Sequence, residues 1–315
     1  MIASLQSLRF VFVMLIFLSH FAYREIPALD AGGDCGVAFF FLLSGFVCSF
    51  GYGKQIADGT FSYRKFLSRR FRKIYPLHLL FLVICLIISK ETIGVKVLVN
   101  ALLLQSWIPY SDWYFSCNSV SWFLSSLLFC YLLFPLAYKY LSRRLTIIVI
   151  VAYSLIFIAT PYGRINAVLY VFPVTRFVDF YLGMLLYKVY KRRHDYPLSP
   201  WAEIVILLLL LLSLALYPFA DERLRNAPLY WLVLIPLVFV FVREQGPVSR
   251  LLNSRYMVFL GTLSMPLFIS HKIIIDLMVH RMPVIPAPMM LAVCVFVALT
   301  VSWMINIIFS RLFRL

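Results

Sequence analysis

Charge is scarce in this chain, and acidic charge is scarcer still. Asp, Glu, Lys and Arg make up 13% of its 315 residues, hydrophobic residues make up 63%, and mean hydropathy is +0.92. A soluble domain carries about 25% charged and about 45–50% apolar residues. A soluble fold is therefore excluded, because it would expose more apolar surface than water tolerates. Acids number 13 against 29 Lys and Arg, a formal net charge of +16. In a soluble protein that surplus would point to nucleic acid. Here the cations stand in short clusters between apolar runs, the arrangement that anchors cytoplasmic loops, and nucleic acid is not an expected partner.

The six cysteines show no C-x-x-C spacing and mostly lie in apolar runs, where they read as small buried hydrophobes. Cys35 and Cys117 both fall in segments read as lying outside, which leaves a bridge between them open. Metal-ligand spacing, phosphate-binding loops, internal repeats, low-complexity tracts and long linkers are all absent from the sequence. The apolar run from Leu5 to Tyr23 lacks the basic front and the small-x-small cleavage site of a signal peptide, so it reads as a first spanning helix. What remains is one membrane-embedded domain over residues 1–315, and any chemistry has to occur inside the helical bundle or at its mouths.

A span takes about 20 apolar residues. Ten segments qualify: 5–23, 36–53, 75–89, 120–140, 145–160, 167–187, 201–217, 229–242, 256–279 and 287–310. A further stretch, 93–108, is interrupted by Lys96, Asn100 and Gln105. Charge parity assigns it. With the N-terminus in the cytoplasm and 93–108 not crossing, the inside loops hold Lys54 to Lys73, Arg143–Arg144, Lys188 to Arg193, Arg243 to Arg255, and the tail with Arg311 and Arg314. Glu25, Asp30, Asp34, Glu91, Asp112, Asp221 and Glu222 then fall outside. A crossing at 93–108 would invert that pattern against the positive-inside tendency. The expected architecture is an all-α polytopic membrane protein, a bundle of about ten transmembrane helices with both termini cytoplasmic and 93–108 re-entrant or interfacial. Pro135, Pro173, Pro236 and Pro266 fall inside spans and are expected to kink them.

Ionisable side chains inside a span cost about 2.5–3.5 kcal/mol on insertion scales, so each is a functional candidate. Arg9 and His20 stand eleven residues apart in the first span. That separation rotates the helix to about 20° past three full turns and rises about 16 Å, so both lie on one stripe. Arg176 and Asp179 are spaced to pair on one helical face, as are Lys272 and Asp276. His271 lies in the outer half of the 256–279 span, at a depth comparable to His20.

Three runs then carry a pattern. The second span opens Gly36-Val37-Ala38-Phe39-Phe40-Phe41-Leu42-Leu43-Ser44-Gly45-Phe46; a basic run Arg69-Arg70-Phe71-Arg72-Lys73-Ile74-Tyr75-Pro76 follows; and Leu260-Gly261-Thr262-Leu263-Ser264-Met265-Pro266-Leu267-Phe268-Ile269-Ser270-His271 closes the set. With the Leu8-Arg9 helix ending in His20, Trp122-Phe123-Leu124, and Arg176-Phe177 ahead of Tyr181-Leu182-Gly183, the chain resembles the membrane-bound acyltransferase 3 family over essentially its whole length. It departs in three places: Lys73 stands where a second Arg is usual, Leu127 where a Glu is common, and Met265-Pro266 where a Tyr is common.

The resemblance implies transfer of an acyl group, usually acetyl from cytoplasmic acetyl-CoA, onto a hydroxyl of a cell-surface glycan or its lipid-linked precursor, in a bacterial inner membrane. A sugar hydroxyl is a poor nucleophile at neutral pH and needs a positioned base, a task suited to His. His20 is the expected base and His271 its rival, with an interhelical hydrogen bond as the alternative role of His271. Coenzyme A is polyanionic, so Arg69, Arg70, Arg72 and Lys73 are expected to hold its phosphates, with Arg9 adding to that site or ordering the entrance. Plain loop anchoring is the alternative for the cluster. For Arg176, a structural pair with Asp179 stands against a place in the donor channel. Trp107, Trp113, Tyr114 and Trp122 are available to stack on an acceptor sugar. No metal is expected. The competing functional classes are a transporter or flippase of a lipid-linked glycan or small anion, with Arg9, His20, Arg176 and His271 as its path, and a non-catalytic membrane sensor.

Overall fold

The computed structural model describes residues 2–22, 30, 32–89 and 93–313. Glu25, Glu91 and Arg314, to which the charge pattern assigned sides of the membrane, lie outside the described residues. The chain folds as helices α1 (Ala3–Ala22), α2 (Gly33–Ala57), α3 (Tyr63–Ser89), α4 (Val95–Ala101), α5 (Ser111–Tyr114), α6 (Trp122–Lys139), α7 (Arg143–Ala159) and α8 (Pro173–Arg193), continuing with α9 (Ala202–Ala215), α10 (Glu222–Arg225), α11 (Pro228–Phe241), α12 (Pro247–Leu252), α13 (Arg255–Thr262), α14 (Ser264–Arg281) and α15 (Ala287–Phe313). No strand occurs among the described residues. Six helical segments are long and apolar enough to cross a membrane, and the bent pair α13–α14 makes a seventh. This is a multi-pass membrane protein.

Each of the ten apolar segments read from the sequence falls on a helix. Three of those helices do not qualify as spans by length and apolarity alone. α7 has 17 residues, α9 has 14, and α8 carries Arg176 and Asp179. α8 escapes the lipid by burial. It packs along α2 and α6, so its polar groups face protein. The α2–α8 approach depends on two glycines. A Cβ at Gly45 would stand 1.9 Å from the Phe180 carbonyl oxygen, and one at Gly183 would stand 1.9 Å from that of Leu42. Only a residue without a side chain lets the two backbones touch this way.

Hydrogen bonds gather the connections at two ends. At one, the Ser4 amide donates to Glu244 (2.8 Å), the Ser4 hydroxyl to the Phe241 carbonyl (2.6 Å) and the Ser7 hydroxyl to that of Leu252 (2.6 Å). At the same end Arg243 donates to the Arg193 and Tyr196 carbonyls, and Glu203 accepts from the Gly246 and Ser249 amides, capping α12. Lys188 reaches the Leu141 carbonyl there as well. At the opposite end Tyr162 donates to Asp221 (2.8 Å) and Arg164 to the Pro109 carbonyl (3.3 Å). The basic connections around 141–144, 188–196 and 243–252 thus share one end, and those around 109, 162–164 and 221 share the other.

The segment 93–108 contains no spanning helix. Its longest helix, α4, has seven residues, about 10 Å of rise against a hydrocarbon core of about 30 Å. The chain turns at Leu103, where φ is +57°. It then runs back beside itself, held by Asn100 to Ser116 (2.7 Å), Gln105 to Ser121 (3.0 Å) and Ser106 to the Trp122 carbonyl (2.8 Å). His78 of α3 lies 2.8 Å from the Asn100 carbonyl, and Asn118 donates to the Ile269 carbonyl of α14 (2.9 Å).

Two expectations need correction. Pro173 does not kink a span: it is the first residue of α8, where its missing N–H costs nothing and its fixed φ suits a helix start. The connection 54–74 is mostly not a loop. α2 continues to Ala57 and α3 begins at Tyr63, so the basic cluster lies on helix. Pro266 does break its span. α13 and α14 meet at 58° around Leu263, because the Pro266 ring excludes the Thr262 carbonyl four residues back and offers it no donor. Cys35 and Cys117 form no disulfide.

Candidate functional site

The helical cluster Arg69 to Lys73 splits by geometry. Arg70 and Lys73 are three residues apart, about 60° on the helix, and Arg72 is turned about 160° from Arg70; Arg69 lies about 40° from Lys73 but about 100° from Arg70. Arg70 and Lys73 line a cavity of about 280 Å³ together with Arg9 of α1, while Arg69 and Arg72 are solvent-exposed outside it. Among the described residues, no Asp or Glu lines this cavity. Leu127 occupies its wall where an acid would introduce a counter-charge, so the three cations keep their full pull on an incoming anion. Lys73, Val47 and Phe50 are exposed and form the mouth.

Arg70 is held by rings. Its guanidinium carbon lies 5.6 Å from the centroid of Tyr52, 5.5 Å from Phe66 and 5.4 Å from Tyr131, distances at which the ring faces attract a cation. Its Nε is buried without a hydrogen-bond partner, as is the hydroxyl of Ser264, which also lines the cavity. Ser264 is the first residue of the 18-residue helix α14. The helix break therefore places the N-terminal turn of α14, through Ser264 and Met265, at the same space, and such turns favour anions. Arg9 makes only a long contact, 3.4 Å, to Gln6.

His20 and His271 are brought together from opposite ends of the sequence. Nε2 of His271 lies 3.1 Å from Nδ1 of His20. The surrounding carbonyls assign the protons. Nδ1 of His271 faces only acceptors, the carbonyls of Phe268 (2.7 Å) and Leu267 (3.2 Å), so it carries the hydrogen. Nε2 of neutral His271 is then an acceptor. The hydrogen between the rings must sit on Nδ1 of His20, which also faces the Ile16 carbonyl at 2.9 Å. In the neutral pair this leaves Nε2 of His20 with its lone pair available. His271 is fully buried and His20 half-buried.

Arg176 stands apart from both groups. Its Nη1 donates to Asp179 at 2.8 Å, its Nε to the Tyr170 carbonyl and its Nη2 to the Asn226 carbonyl at 2.6 Å, all in the protein interior. Trp231 donates to the other Asp179 oxygen. The guanidinium is occupied by the fold and does not line the cavity. Lys272 and Asp276 form the expected ion pair. Trp107 packs edge-on against Phe129 and Phe172, Trp122 is buried against Tyr170, Tyr114 is buried against Phe115, and Trp113 lies under Lys96.

The sequence reading missed Tyr131, Ser264 and the phenylalanines that line the cavity. Ser264 stands in the run that ends at His271, where its position two residues before a helix-breaking proline was the available signal. Tyr131 had none, since it reaches Arg70 only through the packing of α6 on α3.

An all-helical membrane bundle with a cation-lined cavity below a histidine pair defines the class. A family profile described as "Acyltransferase domain" matches residues 2–307, and the chain belongs to that acyltransferase 3 family. Acyltransferase MdmB of Streptomyces mycarofaciens is 33% identical over 159 residues, 44% of this chain and 40% of that protein. Protein 2 in the picA locus of Rhizobium radiobacter is 38% identical over 69 residues, 22% of this chain and 36% of that protein. The matched part spans less than half the length of either curated relative. No solved structure matches the chain.

Proposed function

We propose that the protein is an O-acyltransferase of the bacterial inner membrane, with ten crossings and both termini cytoplasmic, that moves an acetyl group from acetyl-CoA to a hydroxyl of a cell-surface glycan or lipid-linked sugar. The observation that carries this reading is the convergence of Arg9, Arg70 and Lys73 on one acid-free cavity, below a histidine pair whose hydrogen bonds leave one lone pair available. The basic connections at one end of the bundle support the orientation, since cations are retained in the cytoplasm. The cavity lies at that end, because Arg9 and Gln6 follow directly on the α1 turn that binds Glu244.

The residues fit a polyanionic thioester. Arg70 and Ser264 present buried donors with no partner in the protein, and α14 adds its N-terminal turn. From Arg9 to His20 helix α1 rises about 16 Å, so phosphates held at the cations place an extended arm along the stripe towards the histidines. His20 takes the acceptor hydroxyl proton at Nε2. The hydroxyl oxygen bonds to the thioester carbonyl carbon as the carbon–sulfur bond breaks, and His20 returns the proton to the departing sulfur. The resulting imidazolium keeps its Nδ1 hydrogen bond to Nε2 of His271, which holds the ring in place through both transfers.

Purified protein given radiolabelled acetyl-CoA tests this reading. Turnover that His20→Ala reduces by about 10²–10⁴-fold, with unchanged membrane insertion, is the expected result. Undiminished turnover in that variant would refute the assignment of the base, and absence of CoA binding in the unaltered protein would refute the donor.

A further inference from the structure

The cavity does not reach the histidines. Its inner end is closed by Phe40 of α2, Phe123 of α6 and Phe268 of α14, all three of which line it and are buried. Their ring centroids stand 6.3 Å apart for Phe40–Phe123, 6.3 Å for Phe40–Phe268 and 4.9 Å for Phe123–Phe268. At those separations the three rings touch one another, and neither His20 nor His271 lines the cavity beside them. Directly beyond them, the Phe268 ring lies 5.9 Å from that of His271, which bonds His20. Arg9, Arg70 and Lys73 are thus on one side of an aromatic constriction, and the base is on the other.

We infer that Phe40, Phe123 and Phe268 set the size of the acyl group this protein accepts. The inference rests on the acyl-transfer reading, and it follows from where the two ends of the donor must be held. With the phosphates at the cations, the acyl group is the leading end and has to part the three rings before His20 acts on the acceptor. Three elements supply one ring each, and each ring that lines the cavity is backed by another aromatic ring: Phe39 against Phe40, Phe41 against Phe123 and His271 against Phe268. A short acyl group displaces them by side-chain rotation, whereas each added methylene demands further ring movement in a close-packed layer. Phe123 is the ring held from most sides, since Phe41 also lies against it at 4.7 Å. It is therefore the position at which removing a ring opens the most room.

The experiment compares equilibrium binding of non-hydrolysable two-carbon and six-carbon acyl-CoA thioether analogues to detergent-purified protein, followed by turnover of the matching thioesters. The unaltered protein is expected to favour the two-carbon analogue by at least about tenfold, and Phe123→Ala to bring that ratio to within about threefold. Unacylated CoA, which does not enter the constriction, is expected to bind both proteins alike. Phe268→Leu, a smaller change, guards against misfolding and is expected to shift the ratio in the same direction by a smaller factor. An unchanged chain-length ratio in either correctly inserted variant overturns the inference while leaving the donor site standing. Failure of every CoA species to bind the unaltered protein overturns the acyl-transfer reading itself.

Discussion

The sharpest consequence of the site geometry is that four neighbouring cations are not equivalent. Replacing Arg70 and Lys73 with Gln, and separately Arg69 and Arg72 with Gln, removes two charges from the same helical turns in each case. Each variant leaves five of the seven cations between Lys54 and Lys73, so any effect on orientation is shared. The effect on donor binding is not. Arg70 offers a buried, unpartnered Nε within a box of three rings, and loss of a charge-assisted hydrogen bond there costs about 1.5–3 kcal/mol. Lys73 is exposed at the cavity mouth, where solvent screening limits it to no more than about 1 kcal/mol. The sum, about 1.5–4 kcal/mol, corresponds to roughly 10- to 1,000-fold weaker binding. Arg69 and Arg72 are exposed and do not line the cavity, and their removal leaves only weakened long-range attraction, within about threefold at physiological salt. Isothermal titration of detergent-purified variants with CoA reads both numbers. Equal losses in the two variants would refute a specific phosphate site and leave the cluster as an anchor.

Three further outcomes follow from packing and topology. Arg176→Leu leaves Asp179 as a buried charge and strips the Tyr170 and Asn226 carbonyls of donors, so a stability loss of about 3–5 kcal/mol is expected in thermal unfolding. CoA affinity of the protein that remains folded should be unaltered, and a selective loss of CoA affinity would return Arg176 to the donor channel. Gly183→Ala places a methyl group 1.9 Å from the Leu42 carbonyl oxygen; the helices must separate, and a loss of about 1–3 kcal/mol or more is expected, with wild-type stability counting against the close α2–α8 contact. Single cysteines placed at 58–62 and at 109–116 are expected to label from opposite sides of the membrane, and labelling of both from one side would break the ten-crossing arrangement.

Composition and periodicity alone determined that this chain is a helical membrane protein, and they located the seven helical segments long and apolar enough to cross, because burial in lipid demands long apolar runs whatever the neighbouring helices do. Charge distribution likewise favoured a re-entrant or interfacial 93–108 over a crossing, and the seven-residue α4, the turn at Leu103 and the paired serines and amides are what the structure has there. The Arg176–Asp179 and Lys272–Asp276 pairs were legible because both partners lie on one helix, where spacing fixes proximity. His20 and His271 were each legible as polar residues out of place in a span, but their 3.1 Å contact joins residues 251 positions apart, and no local pattern carries such a distance. The division of the basic cluster was hidden for a related reason. As a loop, 69–73 presents four equivalent cations; as the start of α3, it presents two to a cavity and two to solvent. The aromatic constriction depends on tertiary structure alone, since Phe40, Phe123 and Phe268 stand among 29 phenylalanines, and only the packing of α2, α6 and α14 selects those three.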